Sequence, residues 1–305
     1  MTSVFFEPSL SDEARRDRLY NGDLVVLNPR PITTEYCAFA RELIKQAFAP
    51  LDPETAQHHM PVEQFAAILQ KLKPTFIHHP ESKRYIRGLL EACGCDVEKT
   101  YYEVPKLRSS TSDGYLTTGI AYAWHPHRDT WTAALPSQIN WWVPVFDLKP
   151  DNAMSFYPKY WSQPLKNSSS GYNYYKWNKE HRGTHVSQYI KSDPRPLPRP
   201  TEPVDTATDI RLLCPVGGII LFSGSHLHAS VENTSGVTRF SFDFRTVHLD
   251  DIAKRRGAPR IDSQCQGHML RDYVRPTDLA HVPEEYMALY DDGSESSGDL
   301  VYRPT

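Results

Sequence analysis

Two histidine-bearing stretches and one late arginine are the residues of this chain whose types and spacing could do chemistry. The first stretch is Trp124-His125-Pro126-His127-Arg128-Asp129-Thr130-Trp131, with His127-x-Asp129 inside it. The second lies far down the chain, Ser225-His226-Leu227-His228-Ala229-Ser230-Val231-Glu232-Asn233, and is followed by Arg239-Phe240-Ser241. Two imidazoles and one carboxylate on one face of an octahedron hold Fe(II) and leave three positions open for substrate and O2. Residues i and i+2 of an extended segment point to the same side, so His127 and Asp129 reach one metal if they sit on a strand or its end. His125 lacks that relation to Asp129 and is expected beside the centre or facing substrate. The third ligand must come from a distant strand, where His226 and His228 share a face if the strand is regular.

Those residues need a scaffold, and the chain is long enough for one. Its 305 residues, 39% hydrophobic and 23% charged, suit one large globular domain near the upper limit for a single core, or two small ones. The net charge of −3 announces neither a nucleic-acid nor a membrane surface. No apolar run is long enough to span a bilayer, and Met1 to Asp12 has no apolar signal core, so a cytoplasmic location is expected. Five scattered cysteines (Cys37, Cys93, Cys95, Cys214, Cys265) fit reduced thiols better than a disulfide framework.

Residues 1–99 read as helical support after a short strand at 22–27. Phe39, Leu43, Ile44 and Phe48 recur at helical spacing behind the capping residues Thr33 and Thr34. A second helix is expected from about Pro61, and a third over about 81–93 with Gly94 as its C-cap. From Thr100 the pattern turns to strands, at 101–104, 115–123, 138–147, 153–158, 210–214, 219–222 and 239–245, so that 100–158 and 206–248 supply the strands of a barrel. The stretch 159–205, aromatic and proline-rich, is too long for a plain connection and reads as an insertion or lid. Residues 249–305 form a C-terminal segment whose end, from Asp291, reads as loosely ordered. The expected class is mainly β with flanking α-helices, a barrel or jelly roll.

His127-x-Asp129, with His228-Ala229-Ser230-x-x-Asn233-x-Ser235-x-x-x-Arg239-x-Ser241, resembles the Fe(II)/2-oxoglutarate-dependent oxygenases, and within them the phytanoyl-CoA hydroxylase-like branch. The resemblance covers roughly residues 100–248, and Arg239 stands eleven positions after His228, as in that branch. It implies a double-stranded β-helix (cupin-like jelly roll) in a single oxygenase domain spanning 1–305. It selects His127, Asp129 and His228 as the iron ligands. It assigns Arg239, helped by Ser241 or Ser230, to the far carboxylate of 2-oxoglutarate. An arginine fork suits a buried carboxylate, and a neighbouring hydroxyl satisfies a remaining lone pair. Asp129 stands where related halogenases carry Gly or Ala, which disfavours halogenation.

The implied reaction consumes 2-oxoglutarate and O2 and oxidises a substrate C–H, with hydroxylation as the default outcome. The expected substrate is a small polar metabolite of specialised biosynthesis, met by His125, Trp131, Trp142, Tyr157 and His226. Further aromatics (Trp141, Tyr160, Trp161, Tyr172, Tyr174, Tyr175, Trp177) mix with Lys159, Lys166, Lys176, Arg182 and His185. Without a basic stripe, neither nucleic acid nor membrane is an expected partner, and a homodimer stays open. Two other classes stay open as well: a cupin-fold metal enzyme that does not use 2-oxoglutarate, an isomerase or hydrolase, and a ligand-binding barrel without catalysis.

Overall fold

A computed structural model describes residues 2–118, 120, 125–181 and 188–294. In chain order the strands are β1 Val4–Phe6, β2 Leu24–Leu27, β3 Thr100–Glu103, β4 Lys106–Ser110, β5 Ile139–Pro144, β6 Met154–Phe156, β7 Ile210–Leu212, β8 Ile219–Ser223, β9 His228–Ser230, β10 Arg239–His248 and β11 Tyr273–Val274. The helices are α1 Asp12–Tyr20, α2 Pro31–Phe48, α3 Val62–His78, α4 Pro80–Ala92, α5 Tyr174–His181, α6 Leu249–Ala253 and α7 Glu284–Met287. Eight strands make a major sheet in the order β1-β2-β8-β5-β10-β3-β11, with β4 also paired to β10; β7-β6-β9 form a minor sheet. Sheets with flanking helices are what the residue pattern predicts.

The long strand β10 organises the major sheet. It pairs antiparallel with β5 on one side (Phe244 opposite Trp141) and with β4 and β3 on the other (Ser241 opposite Arg108, Thr246 opposite Tyr102). Its residues alternate in kind. Phe240, Phe242 and Phe244 are buried in the large apolar core that also holds the inward stripes of α2, α3 and α4. Tyr36 of α2 packs on Phe76, Tyr85 and Phe242 with ring centroids 5.5, 5.0 and 4.4 Å away. The period of two then sends Arg239, Ser241, Asp243 and Arg245 to the opposite face. A second apolar layer, including Val26, Trp142, Met154, Phe156, Leu212 and Phe222, joins that face to the minor sheet.

Several boundaries differ from the sequence expectation. Helix α2 begins at Pro31, which sets φ for the first turn, and Thr33 sits inside it with its hydroxyl accepting from Arg30 N at 2.8 Å. Gly94 follows α4 with φ +71°, the left-handed exit expected of it. Residues 115–118 form no strand. Thr111 Oγ1 accepts from Leu116 N and donates to Leu116 O, both at 3.0 Å, which closes a loop and outcompetes sheet pairing. The rest of that predicted strand, 119 and 121–123, lies outside the described residues, apart from Ile120 in a turn.

The 159–205 stretch carries α5. Its Tyr172, Tyr174 and Tyr175 are buried against Tyr101, Met269, Leu270 and Tyr273, so these aromatics pack on the C-terminal segment. Among the described residues, no helix is long and apolar enough to cross a membrane.

Candidate metal centre

The donor atoms of His127, Asp129 and His228 all lie within 4.8 Å of one another. His127 Nε2 stands 3.6 Å from Asp129 Oδ1, and the two imidazole centroids are 4.4 Å apart. His228 opens β9, opposite Phe156 of β6. His127 is held to it by an isolated bridge, each residue's N–H donating to the other's carbonyl at 3.0 Å. Asp129 is not on that extended run; it starts a 3-10 turn, Asp129–Thr132, and its N–H donates to Gly224 O at 2.9 Å. Gly224 is needed there. A Cβ on it would stand 3.3 Å from Asp129 Cβ and 3.0 Å from Gln138 Nε2.

Each of the three side chains is oriented by a partner behind it. His127 Nδ1 donates to His125 O, and His228 Nδ1 to His226 O, both at 2.9 Å. That tautomer leaves the Nε2 lone pairs for a metal. Asp129 Oδ2 accepts from Gln138 Nε2 at 2.8 Å and Asn140 Nδ2 at 2.6 Å, which leaves Oδ1 toward the imidazoles. Gln138 is itself fixed by Tyr273 Oη, which donates to its Oε1 at 2.9 Å.

The charge around this carboxylate comes from the polar face of β10. Arg245 donates to Glu103 Oε2 at 2.7 Å and lies 3.7 Å from Asp129 and 3.8 Å from Asp243. Burial alone would raise Asp129; Arg245 and the two imidazoles outweigh it and hold the carboxyl well below its usual range. Glu103 follows the same logic, burial opposed by Lys106 and Arg245, and sits at about 2. Burial, then His127, pushes His228 down to about 4 against the pull of Asp129. The result is an anionic carboxylate and a neutral imidazole, ready to ligate.

A cavity opens beside the triad between the two sheets. Its walls include Asn140, Trp142, Met154, Phe222, Ser230 and Arg239. Arg239 donates to Asn152 O at 2.9 Å and Ser230 Oγ at 3.2 Å, and its plane sits over Trp142 at 5.3 Å. Its Nε is buried without a hydrogen-bond partner, as is the hydroxyl of Ser241 two residues along the same face. Burial draws the guanidinium down to about 10. Orphaned donors of this kind are costly unless something fills them, and a carboxylate does.

The structure therefore brings His127, Asp129, His228, Arg239, Ser230 and Trp142 to one place, with Ser241 on the same strand face. Four expected substrate contacts are elsewhere. Trp131 is fully buried and donates to Asp262 at 2.7 Å. Tyr157 packs in a separate cluster with Tyr160 and Leu227. His125 is exposed and contributes its carbonyl to His127. His226 precedes β9, so the expected shared face with His228 fails: its ring lies on Trp161 at 4.5 Å and Nε2 donates to Gly22 O at 2.9 Å. Gly22 must approach this closely, since a Cβ there would fall 2.5 Å from the Trp161 ring. Arg182 and His185 lie outside the described residues.

Sequence reasoning missed Lys73, Arg108, Asp243 and Arg245, which also line the cavity. Two signals could have found them. The polar residues of β10 alternate with three phenylalanines, and Lys73 interrupts the apolar stripe Phe65, Leu69, Leu72, Phe76 of α3.

His226 yields a prediction independent of any metal. Burial, first of all, pushes its pKa down to about 3, whereas the unfolded imidazole titrates near 6.5. Below pH 6.5 the unfolded chain takes up a proton that the native state refuses, so stability falls as pH drops toward 3. The slope is about 1.4 kcal/mol per pH unit for one proton. Urea unfolding of metal-free protein between pH 6.5 and 4.5 is expected to show a steeper loss than in His226→Phe; parallel slopes would refute the assignment.

No protein-family model and no curated protein sequence matches the chain. Among solved structures, EvdO2 from Micromonospora carbonacea var. aurantiaca is similar over 79% of this chain and 92% of its own, at 10% identity and a TM-score of 0.44; the same protein complexed with 2-oxoglutarate gives 0.43. SnoN, a non-heme alpha-ketoglutarate-dependent epimerase from nogalamycin biosynthesis, is similar over 85% of this chain and 97% of its own, at 14% identity and a TM-score of 0.36. ThoJ, a non-heme monooxygenase, is similar over 78% and 77%, at 16% identity and a TM-score of 0.38.

Proposed function

We propose that the chain is an Fe(II)- and 2-oxoglutarate-dependent oxygenase that hydroxylates a C–H bond of a small polar metabolite, in the phytanoyl-CoA hydroxylase-like branch. In this reading the two sheets form a double-stranded β-helix. The observation that carries the proposal is one cavity holding both a His-Asp-His donor set and, on its wall, a buried arginine with an unfilled donor. Two imidazoles and one carboxylate gathered on one side of a cavity match non-haem Fe(II). The vacant Nε of Arg239 and hydroxyl of Ser241 match the distal carboxylate of 2-oxoglutarate.

His127 Nε2, Asp129 Oδ1 and His228 Nε2 would hold the metal. Iron bound there would supply the redox chemistry with O2 and 2-oxoglutarate. The remaining work belongs to the chain. Arg239 fixes the co-substrate's far end with Ser230 beside it, and Arg245 keeps Asp129 ionised at working pH. Trp142, Met154, Phe222 and Ile120 give the cavity apolar walls that exclude water.

Anaerobic Fe(II)-loaded protein titrated with 2-oxoglutarate should develop a weak visible charge-transfer band. Arg239→Ala should weaken oxoglutarate binding about 10–100-fold, the value of charge-assisted hydrogen bonds in a buried site. Well-folded, iron-bearing wild type that shows no band would defeat the oxygenase reading and favour a metal enzyme without the co-substrate.

A further inference from the structure

The cavity holds more positive charge than the proposed chemistry uses. Four cationic side chains line it, Lys73, Arg108, Arg239 and Arg245, against two carboxylates, Asp129 and Asp243. Two of the four are committed. Arg108 grips Asp243 through Nε at 2.5 Å and an Nη at 3.2 Å, and Arg245 is shared among Glu103, Asp129 and Asp243. Among the described residues, Arg239 and Lys73 have no carboxylate within ion-pair distance. Arg239 is matched to the co-substrate. Lys73 is left; among the described residues its ammonium donates to the carbonyl of Ile120.

Lys73 reaches this position because α3 packs on β4, the strand that carries Arg108. On α3 it stands one helical turn from Leu69 and from Phe76, half-buried at the edge of the stripe that faces the protein. A lysine there is costly unless its charge has a partner. Bound Fe(II) and 2-oxoglutarate would cancel each other's formal charge, two positive against two negative, so they leave the surplus in place.

We propose that Lys73 is the anion-binding residue for the substrate, and that the substrate carries a carboxylate which pairs with it. The proposal rests on the assignment of Arg239 to 2-oxoglutarate. It makes Lys73 a specificity-determining residue contributed by the helical support and not by the barrel. Burial, then Arg108, lowers its pKa to about 7 against a smaller upward pull from Asp243.

The test uses protein loaded with Zn(II) and N-oxalylglycine, which fill the metal and co-substrate positions without turnover. Calorimetry then compares acetate and benzoate with acetamide and benzamide. The expected result is that the acids bind at least tenfold more tightly than the amides in wild type. Lys73→Met should erase that preference while leaving N-oxalylglycine affinity within twofold, and Lys73→Arg should retain the preference. Three outcomes overturn the proposal: equal binding of acids and amides in wild type; a preference that survives in Lys73→Met, which would place the acid on the metal; or a tenfold loss of N-oxalylglycine in Lys73→Met, which would make Lys73 a co-substrate residue. Failure of wild type to bind N-oxalylglycine at all sinks the oxygenase reading instead. The same acid and amide comparison on Zn(II)-loaded protein then decides the anion site separately.

Discussion

Replacing His228 by alanine is expected to lower affinity for Fe(II) or Mn(II) by more than 100-fold. Removing a group that only orients a ligand costs roughly 10–100-fold, and His228 is proposed to be a ligand itself. Asn140→Ala provides the internal scale. It removes one of the two amides on Asp129 Oδ2 but leaves the three donor atoms in place, so its loss should fall within that 10–100-fold range. The order wild type, Asn140→Ala, His228→Ala should appear in a single set of anaerobic titrations followed by metal-dependent quenching of tryptophan fluorescence. A His228→Ala protein that binds metal as well as Asn140→Ala would remove His228 from the ligand set. The fold control is direct, because His228 lies at the start of a short strand and its backbone pairing does not use the ring.

The second large effect concerns Arg245, whose replacement by methionine should destabilise the metal-free protein by about 3–5 kcal/mol. That is the usual consequence of taking away one member of a buried ion pair. Three carboxylates lose a cation at once: Glu103, only 1% exposed, Asp129 and Asp243. Glu103 keeps Lys106, and Asp243 keeps Arg108. Asp129 keeps two amides and the two imidazoles but no lysine or arginine within ion-pair distance, so it is left worst off. A bound divalent ion replaces the missing charge there, so saturating Zn(II) should shrink the deficit. Chemical denaturation of both proteins, with and without metal, measures it. A deficit that metal leaves unchanged would mean that Arg245 serves Glu103 and Asp243 and not Asp129. The double variant Glu103→Gln/Arg245→Met separates the terms further, since coupled pairs deviate from additivity.

Much of the scaffold could be read from residue order because each element obeys a simple period. The stripe Phe65, Leu69, Leu72, Phe76 and the Phe240, Phe242, Phe244 alternation each face one core, and local pattern suffices for that. The grouping of His127, Asp129 and His228 was also legible, since three potential donor residues at informative spacing is a strong coincidence. The turn that returns the chain from His228 toward Arg239 was read from Asn233 to Gly236, and in the structure Asn233 Oδ1 accepts from Ser235 N while its amide donates to Ser110 O and Val237 O.

What could not be read was lateral. Nothing local says that Glu103 lies beside Arg245, or that a lysine on α3 meets an arginine on β4. Those neighbours exist only once the strand order is known. Four of the five expected substrate contacts lie outside the cavity for the same reason. Trp131 and Tyr157 are aromatic, and Trp131 is two residues from Asp129, but packing against Asp262 and Leu227 takes them out of the cavity. His226 failed because the chain bends before β9, so the period of two does not reach back to it.

Arg128, between the two ligands of the first stretch, is buried to 1% exposure. Its guanidinium donates to Ser225 O at 2.5 Å, to Tyr160 O and to Gln163 O at 3.1 Å, with Asp262 at 3.0 Å on Nε. One side chain thus fastens the ligand loop to the stretch before β9, to the insertion and to the C-terminal segment. All but one of its acceptors are main-chain carbonyls, which every residue type provides. The side chains at Ser225, Tyr160 and Gln163 are therefore free to drift over generations without loosening the fastener, provided the backbone path holds. Asp262 is not free in that way: its carboxylate also receives Trp131 and the N–H of Leu165. An engineer transplanting a new 159–205 segment would need to copy the curve of the chain at Tyr160 and Gln163, leave Asp262 alone, and keep the tyrosines that pack on the C-terminal segment.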